Sequence, residues 1–280
     1  MLKSARTTKG ESTRPARVVL RALLFLFLSP VVLIIIAPLS KGASPLVGML
    51  ETGVITSIIT FLLTALFVRW DGLRLRDVGT GPNTQTPARL VLGFFVGIAI
   101  VLLQGSFLYA GGHTHWILRK PHLSIGVILL ALAAYLALAL REELAFRGYS
   151  LRRIETAKGM WISILIMVIV FSLEHAAGGW TWSRALLGPP VGALLFGMAA
   201  LATRGVAVPL GIHSAFNFGQ WFMGQKEIAG PLQLVVDPGF ARQAETLGYA
   251  GYLAGVLLAT AGFWLWCSKR SARKLAIRQL

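Results

Sequence analysis

The 280-residue sequence is poor in charge, in acid and in cysteine. Charged residues make up 14% of it, against about 25% in soluble domains. A water-soluble globule of this size must dress its surface in charge, so an ordinary cytosolic enzyme is excluded. The single cysteine, Cys267, excludes an intramolecular disulfide framework and any cysteine-based zinc site. No polar stretch can fold alone: the longest, 1–17, 69–87 and 224–246, are each too short for a core. There is no internal repeat of fixed period.

Apolar sequence fills the space. Hydrophobic residues reach 55%, the mean hydropathy is +0.69, and 30 glycines suit close-packed membrane helices. These values exclude a disordered or collagen-like chain. Eight runs approach the roughly 20 apolar residues of a transmembrane helix: 18–39, 46–68, 90–110, 123–140, 160–176, 185–203, 206–222 and 247–267. The Pro189–Pro190 step predicts a late start or a kink in the sixth. The expected fold is all-α, a polytopic membrane helix bundle of about eight transmembrane helices, with 1–280 forming one integral membrane domain.

Charge orients the bundle. With both termini in the cytoplasm, twenty Lys and Arg fall inside and six outside, and Arg141 is left at membrane depth. The positive-inside rule therefore favours that orientation, and two basic tails disfavour an odd number of spans. The first apolar run is too long for a signal-peptide core and no clean cleavage site follows, so a retained first helix is expected. The net charge of +16 needs no nucleic acid: basic tails anchor at anionic lipid headgroups. The expected location is a bacterial inner membrane, and the oligomeric state is left open.

Ionisable residues inside membrane spans are costly and mark function by default. Glu51 reads as an interfacial carboxylate, His113, His115 and His122 as solvated loop residues, and Asp237 as a turn residue. One group does not fit a lipid face: Glu142, Glu143 and Arg147 at the end of the fourth span, Phe171, Glu174 and His175 at the end of the fifth, and His213 and Asn217 in the seventh. His213 and Asn217 are spaced i,i+4 and share a helix face. Glu143 and Arg147 have the spacing of a helical ion pair. Glu142 and Glu143 point about 100° apart, so they are not expected to aim at one point. A hairpin turning near Lys158–Gly159 would bring Glu142 and His175 to one level. The depths of His175 and His213 then disagree, which calls for helix tilt or a fifth helix that starts outside the bilayer.

These residues read E-E-x-x-x-R, F-x-x-x-H and H-x-x-x-N in order on separate apolar helices. The pattern resembles the CPBP family, which comprises the type II CAAX prenyl proteases and their bacterial abortive-infection and bacteriocin-processing relatives. The resemblance covers about 123–222, the expected catalytic core. It implies an intramembrane endopeptidase acting on a membrane-associated protein or peptide. Glu142, assisted by His175, would activate water, His213 and Asn217 would stabilise the oxyanion, and Glu143 and Arg147 would hold these groups in place. Glu174 is a carboxylate the pattern does not require, and is expected to face away or orient a neighbour.

The chemistry admits two schemes. Water needs a positioned base near pH 7, and an Asn amide and a His N–H are suitable oxyanion donors. That metal-free scheme, with no cofactor, is favoured. The alternative is zinc held by Glu142, His175 and His213 with an open fourth position, although the H-E-x-x-H pattern is missing. Two further readings compete with proteolysis. A non-catalytic membrane scaffold or regulator of the bacteriocin-immunity type would not need a complete water-activating set. A transporter would be expected to show two related halves, and none is evident.

Overall fold

The computed structural model describes residues 15–40, 42–120 and 124–278, the last eight as backbone alone. Lys3, Arg6, Lys9, Arg14, Lys41 and His122 lie outside the described residues. The elements run α1 (Pro15–Ile36), α2 (Pro45–Trp70), α3 (Thr86–Ala110), β1 (Thr114–Leu118), α4 (Ile125–Glu143), a π-helical turn (Leu144–Gly148) and α5 (Tyr149–Lys158). They continue through α6 (Met160–Ala177), α7 (Trp182–Leu187), α8 (Pro189–Thr203), α9 (Ala207–Phe222), β2 (Leu232–Val236) and α10 (Ala241–Arg278). Two features start helices where expected: Pro45 follows the cap Ser44 at α2, and the Ser124 hydroxyl accepts from Val127 N–H at α4.

Among the described residues, seven helical segments are long and apolar enough to cross a membrane. The protein is a polytopic all-α integral membrane protein. Its outer surface is apolar, with Leu20, Phe27, Phe95 and Leu258 each about two-thirds exposed, between 68% and 69%. Such faces are stable only against lipid.

The eighth expected span is a shorter helix. α9 has 16 residues, or roughly 24 Å, against a hydrocarbon core of about 30 Å. It packs against α3, α4 and α8, so it need not match the lipid. Glycines let it lie almost backbone to backbone along α3: a Cβ on Gly93 would come within 2.1 Å of Val208 O, and one on Gly211 within 2.2 Å of Leu90 O. Both ends are tied. Val206 N–H donates to Gly79 O at 3.1 Å, and Trp116 Nε1–H donates to Met223 O at 3.0 Å. With α9 counted, the described residues pass through the bundle eight times. Arg21, on Asp71 just after α2, and Arg270, on Ala202 O beside the Gly79 contact, lie at the same end.

Three details refine the sequence reading. The sixth expected span breaks at Gly188 into α7 and α8, with Pro189 opening the second piece. A small antiparallel sheet, β1 on β2 with Thr114 opposite Val236 and Leu118 opposite Leu232, caps the far end of the bundle. There His113 is not simply solvated: it stacks on Phe240 at 3.3 Å and faces Asp237 at 3.4 Å. Asp237 closes a turn, and Glu51 and His115 are exposed.

The depth conflict is resolved by the π turn and α5. Tyr149 O–H donates to Asp71 at 2.8 Å, and Arg153 lies 2.7 Å from the same buried carboxylate. Tyr149 is thus level with the end of α2. The ten residues of α5 run beyond it by roughly 15 Å before Gly159 turns the chain back. α6 then returns beside α8, with Ile164 against Gly197, and brings Phe171 to the middle of α9, 6.4 Å from His213.

Candidate active site

Glu142 and Glu143 form the last turn of α4, and Arg147 sits in the π turn that follows. Such turns recur at functional sites because they widen the helix and reset the register of its side chains. His175 is in the last turn of α6, and His213 is in the middle of α9.

The two glutamates converge on one residue, contrary to the expectation from their angular separation. His213 Nδ1 lies 2.9 Å from Glu143 Oε1, and His213 Nε2 lies 3.7 Å from Glu142 Oε2. An imidazole presents its two nitrogens in divergent directions, so carboxylates splayed around a helix can each meet one. The first contact is a hydrogen bond and fixes Nδ1 as the protonated nitrogen. The second is too long for one, and among the described residues Glu142 Oε2 is buried without a hydrogen-bond partner. The ring is clamped from the side by Phe196, stacked at 4.6 Å and 15°.

Arg147 is completely buried. Its Nη1 lies 3.5 Å from Glu143 Oε1, which bears out the i,i+4 pairing. Its guanidinium also sits among three aromatic rings, 4.6 Å from Phe171, 5.1 Å from Phe196 and 5.4 Å from Phe146. Phe171 thus supports Arg147 and His175 together. His175 Nδ1–H donates to Phe171 O at 2.8 Å, leaving Nε2 as the free acceptor. Trp180 packs edge-on to the same ring at 5.0 Å. His213, His175, Arg141 and Arg147 all lie within electrostatic reach of Glu142.

Two partnerships were not read from the sequence. Arg141 is fully buried and ion-paired with Glu174, and its Nη2 donates to Ser29 O at 3.1 Å. Glu174 therefore neutralises the cation that the charge count left at membrane depth. The hairpin register that levels Glu142 with His175 brings Arg141 and Glu174 within two residues of one level, which was the available signal. The second is Lys226, assigned to an outer loop by the charge count. Its Nζ donates to Asn217 Oδ1 at 2.9 Å, one turn beyond His213 on α9. Burial pushes the Lys226 ammonium down to about 8, with Glu142 and Glu227 opposing the shift and Arg184 adding to it. No sequence signal marks this return of the chain.

The structure thus brings Glu142, Glu143, Arg147 and His213 into direct contact. His175 joins them through Phe171, and Asn217 lies one turn beyond His213, bonded to Lys226, a cation within electrostatic reach of Glu142. Among the described residues, no three His, Cys, Asp or Glu side chains are grouped to hold a metal ion. Glu142, His175 and His213 are thus not gathered as a three-ligand set.

Residues 124–219 match the family model described as Rce1-like, the type II CAAX prenyl endopeptidases. The match begins at the cap of α4 and holds all six residues of the E-E-x-x-x-R, histidine and asparagine set. Lys226 falls outside it. No curated protein matches the chain.

Proposed function

We propose, from the match of residues 124–219 to the Rce1-like model of type II CAAX prenyl endopeptidases, that the protein is an intramembrane endopeptidase. It would hydrolyse a peptide bond of a membrane-associated protein or peptide. The observation that carries the reading is the His213 imidazole held between two carboxylates, with an unbonded oxygen of Glu142 3.7 Å from Nε2. That separation is too wide for a direct bond and lets both atoms touch one small molecule.

In this reading Glu142 takes a proton from water and the resulting hydroxide attacks the carbonyl carbon. His175 Nε2, free to accept, assists the transfer. The new tetrahedral oxygen carries the negative charge. His213 already donates through Nδ1, so it can donate to that oxygen only as the imidazolium, and Glu143 supplies the countercharge. Asn217 contributes its amide N–H. Lys226 holds Asn217 Oδ1, which turns the NH₂ end toward the other side of the amide. Arg147 holds Glu143. The proton on Glu142 then passes to the leaving amine, completing hydrolysis.

The test is cleavage of a quenched membrane peptide by the purified protein in liposomes. Glu142→Gln and His213→Ala are each expected to lower the rate by about 10²–10³ or more. Full activity in either variant sinks the proposal. Elemental analysis and chelator treatment belong in the same experiment. The metal-free scheme expects cleavage to survive chelation, and a stoichiometric zinc lost together with activity would replace that scheme with the zinc one.

A further inference from the structure

A second cavity lies beside the same helices, with Leu140 and Leu144 flanking the two glutamates and Leu210 a turn before His213. α2 packs on α4 and α3 packs on α9, and between these pairs a lateral groove encloses a cavity of about 450 Å³. That volume is within the range of ligand pockets. Its walls are apolar, with Phe61 from α2, Leu140 and Leu144 from α4 and the π turn, and Leu210 from α9. Its mouth is cationic: Arg76, Arg89 and Arg204 all line it, with the polar residues Asn83 and Thr86 between them.

These cations are poorly neutralised. Among the described residues no carboxylate pairs with Arg89 or Arg204, and Arg76 has only an exposed contact with Asp77 at 4.0 Å. Arg89 spends one nitrogen on Gln85 Oε1. The charge is reinforced from behind, where Arg152 feels both Arg204 and Arg270 and has Glu155 as its acidic partner at 3.0 Å.

The backbone of the mouth is tightly packed and strained at one residue. Gly79 and Gly205 meet so closely that a Cβ on Gly79 would lie 2.8 Å from Gly205 Cα. Arg204 has φ 57°, the one non-glycine residue with positive φ among the described residues. Its conformation caps α8, with Gly205 N–H reaching Ala200 O at 3.2 Å. A cap explains the backbone but asks for glycine or asparagine, not a bulky cation. An arginine kept there at a conformational cost points to work for its guanidinium.

We propose that this groove binds an anionic phospholipid of the surrounding leaflet. Its phosphate is held by Arg76, Arg89 and Arg204, and the start of one acyl chain lies against Phe61, Leu144 and Leu210. Charge complementarity selects the occupant, because three arginines at a membrane-facing mouth match a phosphate and the apolar walls match the chain attached to it. The proposal does not depend on proteolysis.

The experiment uses the full chain in nanodiscs of phosphatidylcholine with or without phosphatidylglycerol. Retained lipid is counted by native mass spectrometry after release, and thermal unfolding is followed in parallel. Phosphatidylglycerol is expected to be retained and to raise the unfolding temperature. Arg204→Gly is the informative variant, because φ 57° suits glycine: it should fold at least as well while losing retention about fivefold. Adding Arg89→Gln should bring the loss to about twenty-five-fold. Arg242→Gln, an exposed cation at the opposite end, should change nothing. Equal retention of both lipids, or undiminished retention in Arg204→Gly, overturns the proposal. Stabilisation by inorganic phosphate alone, in phosphatidylcholine discs, overturns the lipid as occupant in favour of a free anion.

Discussion

Lys226→Met removes the donor that holds Asn217, together with a cation within electrostatic reach of Glu142. The contact is a charged N–H···O bond of 2.9 Å, and such bonds contribute about 1.5–3 kcal/mol. At about 1.4 kcal/mol per tenfold, its loss should lower kcat by roughly 10- to 150-fold. The upper end approaches the loss of an oxyanion donor itself, about 10²–10³, because a freed amide can present its oxygen instead of its NH₂. KM should change little, since the bond acts on Asn217 and not on the substrate.

The pH profile separates this role from a structural one. Burial lowers Lys226 to about 8, below its ordinary 10.5. The protonated donor is therefore present below pH 8 and lost as pH rises through 8. A neutral amine still donates, but about half as strongly, so the wild-type rate should fall several-fold above pH 8 and not vanish. Lys226→Met should be slow at every pH and lack that limb. Lys226→Arg cannot deprotonate in this range and should lose the limb while recovering part of the rate. The assay is peptide cleavage in liposomes between pH 6 and pH 10. A Lys226→Met protein with full rate and an intact limb near pH 8 would refute the reasoning, provided Asn217→Ala is inactive in the same assay.

Three further outcomes follow, two from buried charges and one from helix packing. Glu174→Ala should destabilise the protein by about 3–5 kcal/mol, because it leaves Arg141 buried and unpaired, whereas the double change Arg141→Met with Glu174→Met should restore most of that; thermal unfolding in detergent reads both. Arg147→Met strips Glu143 of its cation and should cost a similar amount, with the unfolding temperature as readout, and an unchanged value would mean that the three aromatic rings hold the turn without the ion pair. Gly211→Val drives a side chain into Leu90 O and should separate α9 from α3, lowering cleavage and stability together.

The bundle was legible in the sequence because membrane spans are written locally. Twenty apolar residues in a row can be counted without knowing what they touch, and the lipid supplies the same environment everywhere. The E-E-x-x-x-R, F-x-x-x-H and H-x-x-x-N set was legible for a related reason: polar groups stand out against hydrocarbon. The i,i+4 pair of Glu143 and Arg147 also followed from helix geometry alone. Reading stopped where two elements had to be placed relative to one another.

Composition, span count and the identity of the polar residues were thus determined by the sequence itself, since each follows from solvent transfer or from neighbours within one helix. Tertiary structure alone decided that both carboxylates address a single imidazole, that Arg141 finds Glu174, that Lys226 returns to Asn217, and that three arginines ring one groove. Each of these is a contact between separate helices or loops. Their positions depend on glycine-mediated packing, on the π turn after Glu143 and on a capped turn at Arg204, none of which hydropathy encodes.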